Sequence, residues 1–539
     1  MKKLLLLILV IQMNVFGQNA IPGTSQFGTL MNNYQTNYES GNDMFGNWST
    51  GVTKTFIPKN NNTSPIFSGS FWIGGYDQTS ALHVSAETYR QTGVDFWPGP
   101  IDTANVKADS TLCNSFDTFF PIYKSQVDSQ KNHLYSTIPQ QIINWPGNGL
   151  STFHTSYKLA PYVDVNYNGM YDPTNGDYPI MFGDYSIYQI FNDIGNSHKE
   201  SGGAAFGIET HATHYKVDCI SDSALWNTMF THYELINRSP NTYHNFNFTM
   251  WLDFDLGNYQ DDYTGCDTSL NLFYVYNGDG FDESFGSLTG YHQYLPAFGG
   301  MFLNQKMSTF TQFYNTGDPV AGNPVGNQTL QYYNCMNDAW KNGTPVTYGG
   351  NGQSAGQPTK YMFSGDPVAN IGWTEANSGQ VKGDVRGLGS AGLFTMLPHD
   401  TLKIDFAYIF ARDYQNPNDS VAPIIKLKQY AQSIQNYYNA NSTPCGSIFS
   451  SHVRKNGALM KGINIYPNPA NNSLNISSPT EFGVITIYNS LGEIVLQATN
   501  KPTPNPSPEG NTVTIDISKL SAGIYIINAN GSRIKFIKE

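Results

Sequence analysis

Leu402, Ile404, Phe406, Tyr408 and Phe410 occupy every second position of one short run, directly after Pro398-His399-Asp400. A period of two sends successive side chains to opposite faces, so the run reads as a strand with one apolar face. Ala391 to Arg412 is therefore expected to be a hairpin that turns at residues 398–400. The same alternation recurs in Phe71-Trp72-Ile73-Gly74-Gly75, Phe206 to Val217, Trp226 to Asn237 and Asn245 to Leu256. Only one stretch has helical spacing. Ile424, Leu427, Ala431, Ile434 and Tyr438 follow at three- and four-residue steps behind Asn418-Asp419-Ser420, residues suited to capping.

Composition points the same way. Aromatic residues make up 14% and charged residues 13% of the chain, with 51 Gly and 29 Pro to supply turns. At 539 residues the chain should fold as several units. The expected class is mainly β, with a β-sandwich-like body of one or two sandwich units over residues 18–440 and one C-terminal helix. A linker follows at 441–460, then a small β-rich domain at 461–539. Residues 300–390 are rich in Gly, Asn and Tyr and show no readable period. The net charge of −12 argues against a nucleic-acid partner, which requires a basic face. High aromatic content with thin charge argues against disorder.

Both ends carry addresses. Lys2 and Lys3, an apolar run from Leu4 to Val10, and Val15 and Gly17 before Gln18 have the layout of a signal peptide over residues 1–17. No Cys follows to carry a lipid anchor, and no later run is long and apolar enough to be a transmembrane segment of the mature chain. An export leader permits disulfides, but five cysteines (Cys113, Cys219, Cys266, Cys335 and Cys445) leave at least one unpaired within the chain. Their long spacings disfavour a zinc site and leave the pairing open.

The last eighty residues open with Tyr466-Pro467-Asn468-Pro469-Ala470. They continue through the alternating Val484 to Asn489 and the turn Ser490-Leu491-Gly492-Glu493, and reach Leu520-Ser521-Ala522-Gly523-Ile524-Tyr525. Short strands between Gly and Asn turns suit a small Ig-like β-sandwich. This module resembles the C-terminal (type A) sorting domain of the type IX (Por) secretion system of Bacteroidetes. The resemblance implies export through the inner membrane by the general route and through the outer membrane by a dedicated machinery that recognises residues 461–539. It further implies removal of the domain, followed by release or by attachment through a surface glycan or lipopolysaccharide. Lys501 to Asn511 is Pro-rich and reads as a loop inserted between strands. The body is similar to an uncharacterised class of secreted Bacteroidetes proteins across Asp164 to Asp184, His198 to Glu209, Trp251 to Asp282 and Gly383 to Asp400. That similarity implies an extracellular or outer-membrane-surface location and no particular activity.

Two acidic constellations are the candidate sites. In the first, Asp164, Asn166, Asn168, Met170 (through its carbonyl) and Asp172 fall at the alternate positions of a calcium loop. Gly169 stands at the bend, and Asp177 substitutes for the acid missing at Asn175. An Asn/Asp/Gly surface turn would look the same without a metal. In the second, Asp253 and Asp255 share one face of a strand, and Asp261, Asp262 and Asp267 return in the following loop. Crowded carboxylates repel unless a cation or solvent relieves them, and calcium would serve. Paired carboxylates also hydrolyse glycosides. His198, His211, His214 and His232 read as ordinary strand or loop histidines, and the tryptophans as core more than as sugar platforms. No local pattern of a protease, nucleotide-binding or metalloenzyme site is present.

The reading that results is an exported, non-catalytic adhesion, binding or scaffold protein with structural calcium. A secreted polysaccharide or peptide hydrolase using the carboxylates is the alternative. Deleting residues 461–539 is expected to leave the protein in the periplasm, as followed by immunoblots of cell fractions. Secretion of the truncated chain at the full-length level would refute the sorting assignment.

Overall fold

The alternating runs become the strands of two antiparallel sheets. The computed structural model describes residues 20–90, 93–134, 136–354 and 356–449, and in the C-terminal part 464–466, 469–478, 484–489, 494–499, 511–529 and 532–538. The chain divides into two units, Met1–His452 and Val453–Glu539. The leader expected at residues 1–17 lies outside the described residues.

In the first unit, a nine-stranded sheet runs from one edge through Asp262–Asp267, Leu272–Asn277, Pro296–Phe302, Thr401–Arg412, Thr228–Asn237, Ile208–Lys216 and Tyr185–Asn192. Trp97–Pro98 and Phe120–Tyr123 both pair with the last of these. A five-stranded sheet has the order Met307–Tyr314, Val385–Met396, Tyr243–Phe254, Ile66–Asp77 and Leu82–Ser85. The inner faces meet in one apolar layer. Phe71, Ile73, Phe248, Met250 and Leu252 come from the smaller sheet, and Ile187, Tyr233, Ile404, Phe406, Tyr408 and Phe410 from the larger. This is a sandwich, with its two inner faces interdigitated.

The expected hairpin over Ala391 to Arg412 is a corner between the sheets instead. Val385–Met396 pairs within the smaller sheet and Thr401–Arg412 within the larger. Asn237 holds the corner: its N–H donates to Asp400 O at 3.0 Å, its carbonyl accepts from His399 N at 2.8 Å, and its Nδ2 donates to Leu397 O at 3.0 Å. Alternation marks an apolar face, but it does not say which strand lies alongside.

Both outer faces carry helices. Ala422–Ala440 lays Ile424, Leu427, Ala431, Ile434 and Tyr438 onto Phe230, Ala407, Ile409 and Ala411 of the larger sheet. Its start is capped by Asp419 Oδ1, which accepts from Val421 N at 2.9 Å and Ala422 N at 3.0 Å. Thr329–Met336 packs Tyr332, Tyr333 and Met336 over Trp72, Trp251 and Leu388 of the smaller sheet. Gly74 makes that approach possible, since a Cβ there would stand 2.7 Å from the Tyr333 ring. Further short helices, Ser110–Ser115, Lys124–Lys131, Gln140–Ile143 and Ser223–Trp226, were not expected. They are one or two turns long, too short for a period to show in sequence. The segment expected to act as a linker from residue 441 is packed on the body as far as Phe449, which is buried beside Phe230 and Tyr438. A disulfide joins Cys445 there to Cys219, while Cys113, Cys266 and Cys335 are free and buried.

The second unit has sheets Asn464–Tyr466, Ser473–Ser478, Asn511–Asp516 and Ile494–Thr499, Val484–Tyr488, Gly523–Ala529, Ser532–Lys538. Leu474, Ile476, Ile485, Ile487, Ile515, Tyr525, Ile527 and Phe536 form its core. Tyr466 ends its first strand and Gly523 begins a later one. Pro469 is exposed, and Pro467, Asn468 and Gly492 lie outside the described residues.

The four histidines are held by the sheet and its flanking loops. His211 Nε2 lies 2.8 Å from Glu209 Oε1 and its Nδ1 2.9 Å from Tyr188 Oη. Both ring nitrogens of His198 face carbonyls, Val84 O at 2.8 Å and Asp193 O at 2.7 Å, so both donate and the ring is a buried cation. His214 stacks on Tyr38 at 4.1 Å and accepts at Nε2 from Gln189 Nε2 at 3.0 Å. Burial pushes it down to about 3. Burial acts in the same direction on His232, but Asp405 Oδ1, 2.7 Å from its Nδ1, and Glu234 overcome it and raise the group to about 9.

Two predictions follow from this packing. Ile434→Ala, at a site 0% exposed, should cost about 2–5 kcal/mol in denaturant melts. The two histidines should act on opposite pH limbs. The His232 contribution is complete below about 6.5 and is lost as pH rises towards 9. The His214 contribution is complete above about 6.5 and is lost as pH falls towards 3. In melts across pH, His232→Gln should flatten the alkaline limb and His214→Gln the acid limb. Unchanged limbs would contradict the assignment.

Candidate acidic sites

The strand Tyr243–Phe254 buries Leu252 and Phe254 in the sandwich core and delivers Asp253 on its other face. Asp253 pairs in register with Arg386 of the neighbouring strand. Arg386 Nε stands 3.0 Å from Asp253 Oδ1 and its Nη2 3.1 Å from Oδ2, and Tyr89 Oη donates to Oδ2 at 2.5 Å. Arg386 also bonds Asp384, and oxygens of Asp253, Asp255 and Asp384 lie within 4.8 Å of one another. Asp253 is 0% exposed, while Asp255 and Asp384 are half-buried. Burial raises Asp253 to about 7 against the pull of Arg386. Burial, then Asp253 and Asp384, drive Asp255 well above the ordinary carboxylate range.

The remaining acids of this constellation go elsewhere. Asp261 ends the short turn Tyr259–Asp261, whose first N–H groups are capped by Asn258 Oδ1 on Gln260 N at 3.2 Å. Asp262 opens the next strand and accepts at Oδ2 from Leu256 N at 3.0 Å. Asp282 approaches from the other side, accepting from Asn258 N at 3.0 Å and Tyr291 N at 2.5 Å. Asp267 is removed from both groups: Lys428 of the long helix meets it at 3.1 Å, and Ser269 Oγ donates to it at 2.6 Å. Despite burial, those two contacts hold its carboxyl below the usual value. The expected single cluster is thus divided, because the loop after Asp255 runs back into the edge of the larger sheet.

The Asp164 loop is a closed, exposed wheel. Asp164 accepts from Asn168 N at 3.2 Å and Gly169 N at 2.7 Å, Asn166 Oδ1 from Asn168 N at 3.1 Å, and Asn168 Oδ1 from Met170 N at 2.8 Å. Asn168 and Asn175 each donate Nδ2 to Asp172 Oδ2 at 2.8 Å. Gly169, at φ +84°, makes the bend. Asp177 does not stand in for a twelfth-position ligand. It is 0% exposed and spends both oxygens on main-chain donors, Val165 N at 2.8 Å and Asp172 N at 2.9 Å, bracing the loop from beneath.

Asp384, Arg386 and Asp282 were missed as site residues. Asp384 and Asp282 sit at the edges of stretches already marked by resemblance, but nothing local indicates their partners. Trp72, Trp97, Trp145, Trp251, Trp340 and Trp373 are buried, which leaves them no face for stacking on sugar. No helix among the described residues is long and apolar enough to cross a membrane.

No curated protein matches the chain. A polysaccharide lyase of known structure is similar at 9% identity with a TM-score of 0.20, over 71% of this chain and 37% of the lyase. The chain thus spans little more than a third of that protein's length, and a likeness at this score carries no argument. Residues 464–539 match the secretion system C-terminal sorting domain family. The small seven-stranded sandwich at the end of the chain is that domain, and the chain is a cargo of the type IX secretion system, routed to the outside of the cell.

Proposed function

We propose that the exported body is a non-catalytic binding or scaffold protein stabilised by calcium. The observation that carries the first half is the enclosure of Asp253. Glycoside hydrolysis by paired carboxyls needs both groups to face a substrate across an open cleft. Asp253 is 0% exposed, and both its oxygens are engaged by Arg386 and Tyr89. The pair Asp253 and Asp255 therefore presents at most one carboxyl to solvent, which disfavours the hydrolase reading.

Charge balance supports the second half. Three carboxyl groups converge on one guanidinium beside Asp253, so ionising all three would leave two negative charges. A divalent cation on the half-buried Asp255 and Asp384 would neutralise them. In the Asp164 loop, Asp164, Asn166, Asn168, the Met170 carbonyl and Asp172 would supply the oxygens that a hard cation prefers. After removal of the sorting domain, attachment to a surface glycan or lipopolysaccharide would keep the body at the cell surface.

Thermal melts with about 2 mM calcium, then with chelator, test the reading. At a dissociation constant of about 0.1 mM each site adds about 1.8 kcal/mol. The gain is expected to fall in Asp164→Ala and in Asp255→Asn. Absence of any calcium-dependent shift would overturn the calcium half. Turnover of a polysaccharide or peptide that disappears in Asp255→Asn would overturn the non-catalytic half.

A further inference from the structure

Glycine inside a strand is usually demanded by a close neighbour or by the backbone. In the first unit this holds for every described strand glycine but one. A Cβ at Gly69, Gly265 or Gly389 would stand 2.6, 2.8 or 2.3 Å from a packed side chain, and the others approach a neighbour to 3.1 Å or less. Gly28, within the strand Gln26–Met31, has no positive φ, and a Cβ there would meet only Asn37 Oδ1, at 3.8 Å. Neither conformation nor packing asks for glycine at this position. Its bare backbone instead floors a cleft of about 300 Å³ on the outward face of the hairpin Gln26–Met31 and Tyr34–Glu39.

The register sets the lining. Gly28 lies opposite Asn37 and Leu30 opposite Gln35, so these positions share the outward face, while Phe27 and Met31 turn to the sandwich core. Asn37 is 6% exposed, and its Nδ2 donates to Gly46 O at 2.7 Å, which leaves its Oδ1 over Gly28 as a fixed acceptor. Gln26 Oε1 accepts from Asn47 Nδ2 at 2.5 Å, leaving Gln26 Nε2 to donate to a ligand. Asn47 is itself held, its Oδ1 accepting from Ser49 Oγ at 2.7 Å and Thr50 N at 3.1 Å. The Gln35 carboxamide and the Lys54 ammonium complete the polar lining, and Leu30, 49% exposed, adds an apolar edge.

These groups discriminate between ligands. A fixed acceptor among several donors suits a ligand whose oxygens both donate and accept, which is the property of a hydroxyl. A carboxylate or phosphate would satisfy Lys54 but leave Asn37 Oδ1 facing another acceptor. No carboxylate lines the cleft, although the chain carries 41 acids, so a cationic ligand finds nothing to pair with. A peptide strand is held through main-chain ladders at a sheet edge, whereas this cleft lies on a face. We infer that the cleft over Gly28 binds a sugar unit of an uncharged glycan. Asn37 Oδ1 accepts from one hydroxyl, and Gln26, Gln35 and Lys54 donate to others. This rests on the binding reading above and supplies its site and ligand class.

The test is affinity electrophoresis of the full chain through native gels containing mannan, laminarin, xyloglucan or galactan, with alginate and gelatin as charged and peptide controls. At least one of the four uncharged polysaccharides is expected to retard the protein. Gly28→Leu, which has room for its Cβ and a φ open to any residue, should abolish the retardation while the melting temperature holds or rises. Gln35→Ala should weaken it about fivefold. If Gly28→Leu does not fold, Gln35→Ala and Lys54→Ala give the same reading. Retardation by none of the four, retardation confined to alginate or gelatin, or undiminished retardation in the folded variants would each overturn the inference. Release of reducing ends from the polysaccharide would count against the non-catalytic reading alone, because the comparison with Gly28→Leu still decides the site.

Discussion

The aromatic layer between the two sheets is the contact on which the rest of the body depends. Phe71 stacks on Phe248 within the smaller sheet at 4.9 Å and meets Tyr233 of the larger edge-on at 5.2 Å. Phe406 meets Phe302 and Tyr408 at 4.9 and 5.0 Å. Rings of this size bury much apolar area per residue, but a phenol brought inside must find an acceptor. Tyr34 donates to the carbonyls of Asn227 and Tyr408, and the hydroxyls of Tyr233 and Tyr408 point at the Met44 sulfur. With the interior filled this way, the strands keep their alternation, and both outer faces are left apolar enough to need helices over them.

That interior also decides where charge goes. A carboxylate has no place between the sheets, so the acids collect where strands end: Asp253 and Asp255 after Leu252 and Phe254, Asp261 and Asp262 before the next strand. At these margins Asp253, Asp261 and Asp262 are enclosed and Asp255 is half-buried, and the neighbours of each set its state. Arg386 answers Asp253, and Lys428 answers Asp267. Glu375, fully enclosed, is answered by Thr264 N at 2.6 Å and Tyr314 Oη at 2.8 Å. Asp262 is answered on one oxygen by Leu256 N at 3.0 Å, and Asn277 and Lys382 act on Asp261. The margin of the sandwich is thus its electrostatic weak point, whereas the export address occupies a separate unit with its own core.

Much of the fold is legible along the chain. The long strands appear within a few residues of the alternating runs, because one apolar face is demanded wherever a strand covers a core. The helix over Ala422–Ala440 is legible for the same reason at a different period. What alternation does not carry is partnership. Val385–Met396 and Thr401–Arg412 adjoin in sequence yet join opposite sheets, and nothing in their own residues marks the corner; the grip comes from Asn237, far upstream. The acids show the same limit. Asp253 and Asp255 are visible as a pair, but Arg386 and Asp384 reach them from more than a hundred residues away. Asp267 looked like a member of the group because the lysine that claims it lies on a distant helix.

The sequence by itself determined the class and the destination: period-two patterning with aromatic cores makes sheets, and the last eighty residues carry the motifs of a self-contained module with its own core. Only the tertiary structure decided which carboxylates share a site, which cysteines meet, and where the body ends. Those outcomes depend on contacts between residues far apart in the chain, such as the Cys219–Cys445 disulfide, with its separation of 226 residues. Local patterns report what a segment buries. The identity of its neighbour is settled only when whole sheets compete to cover one another.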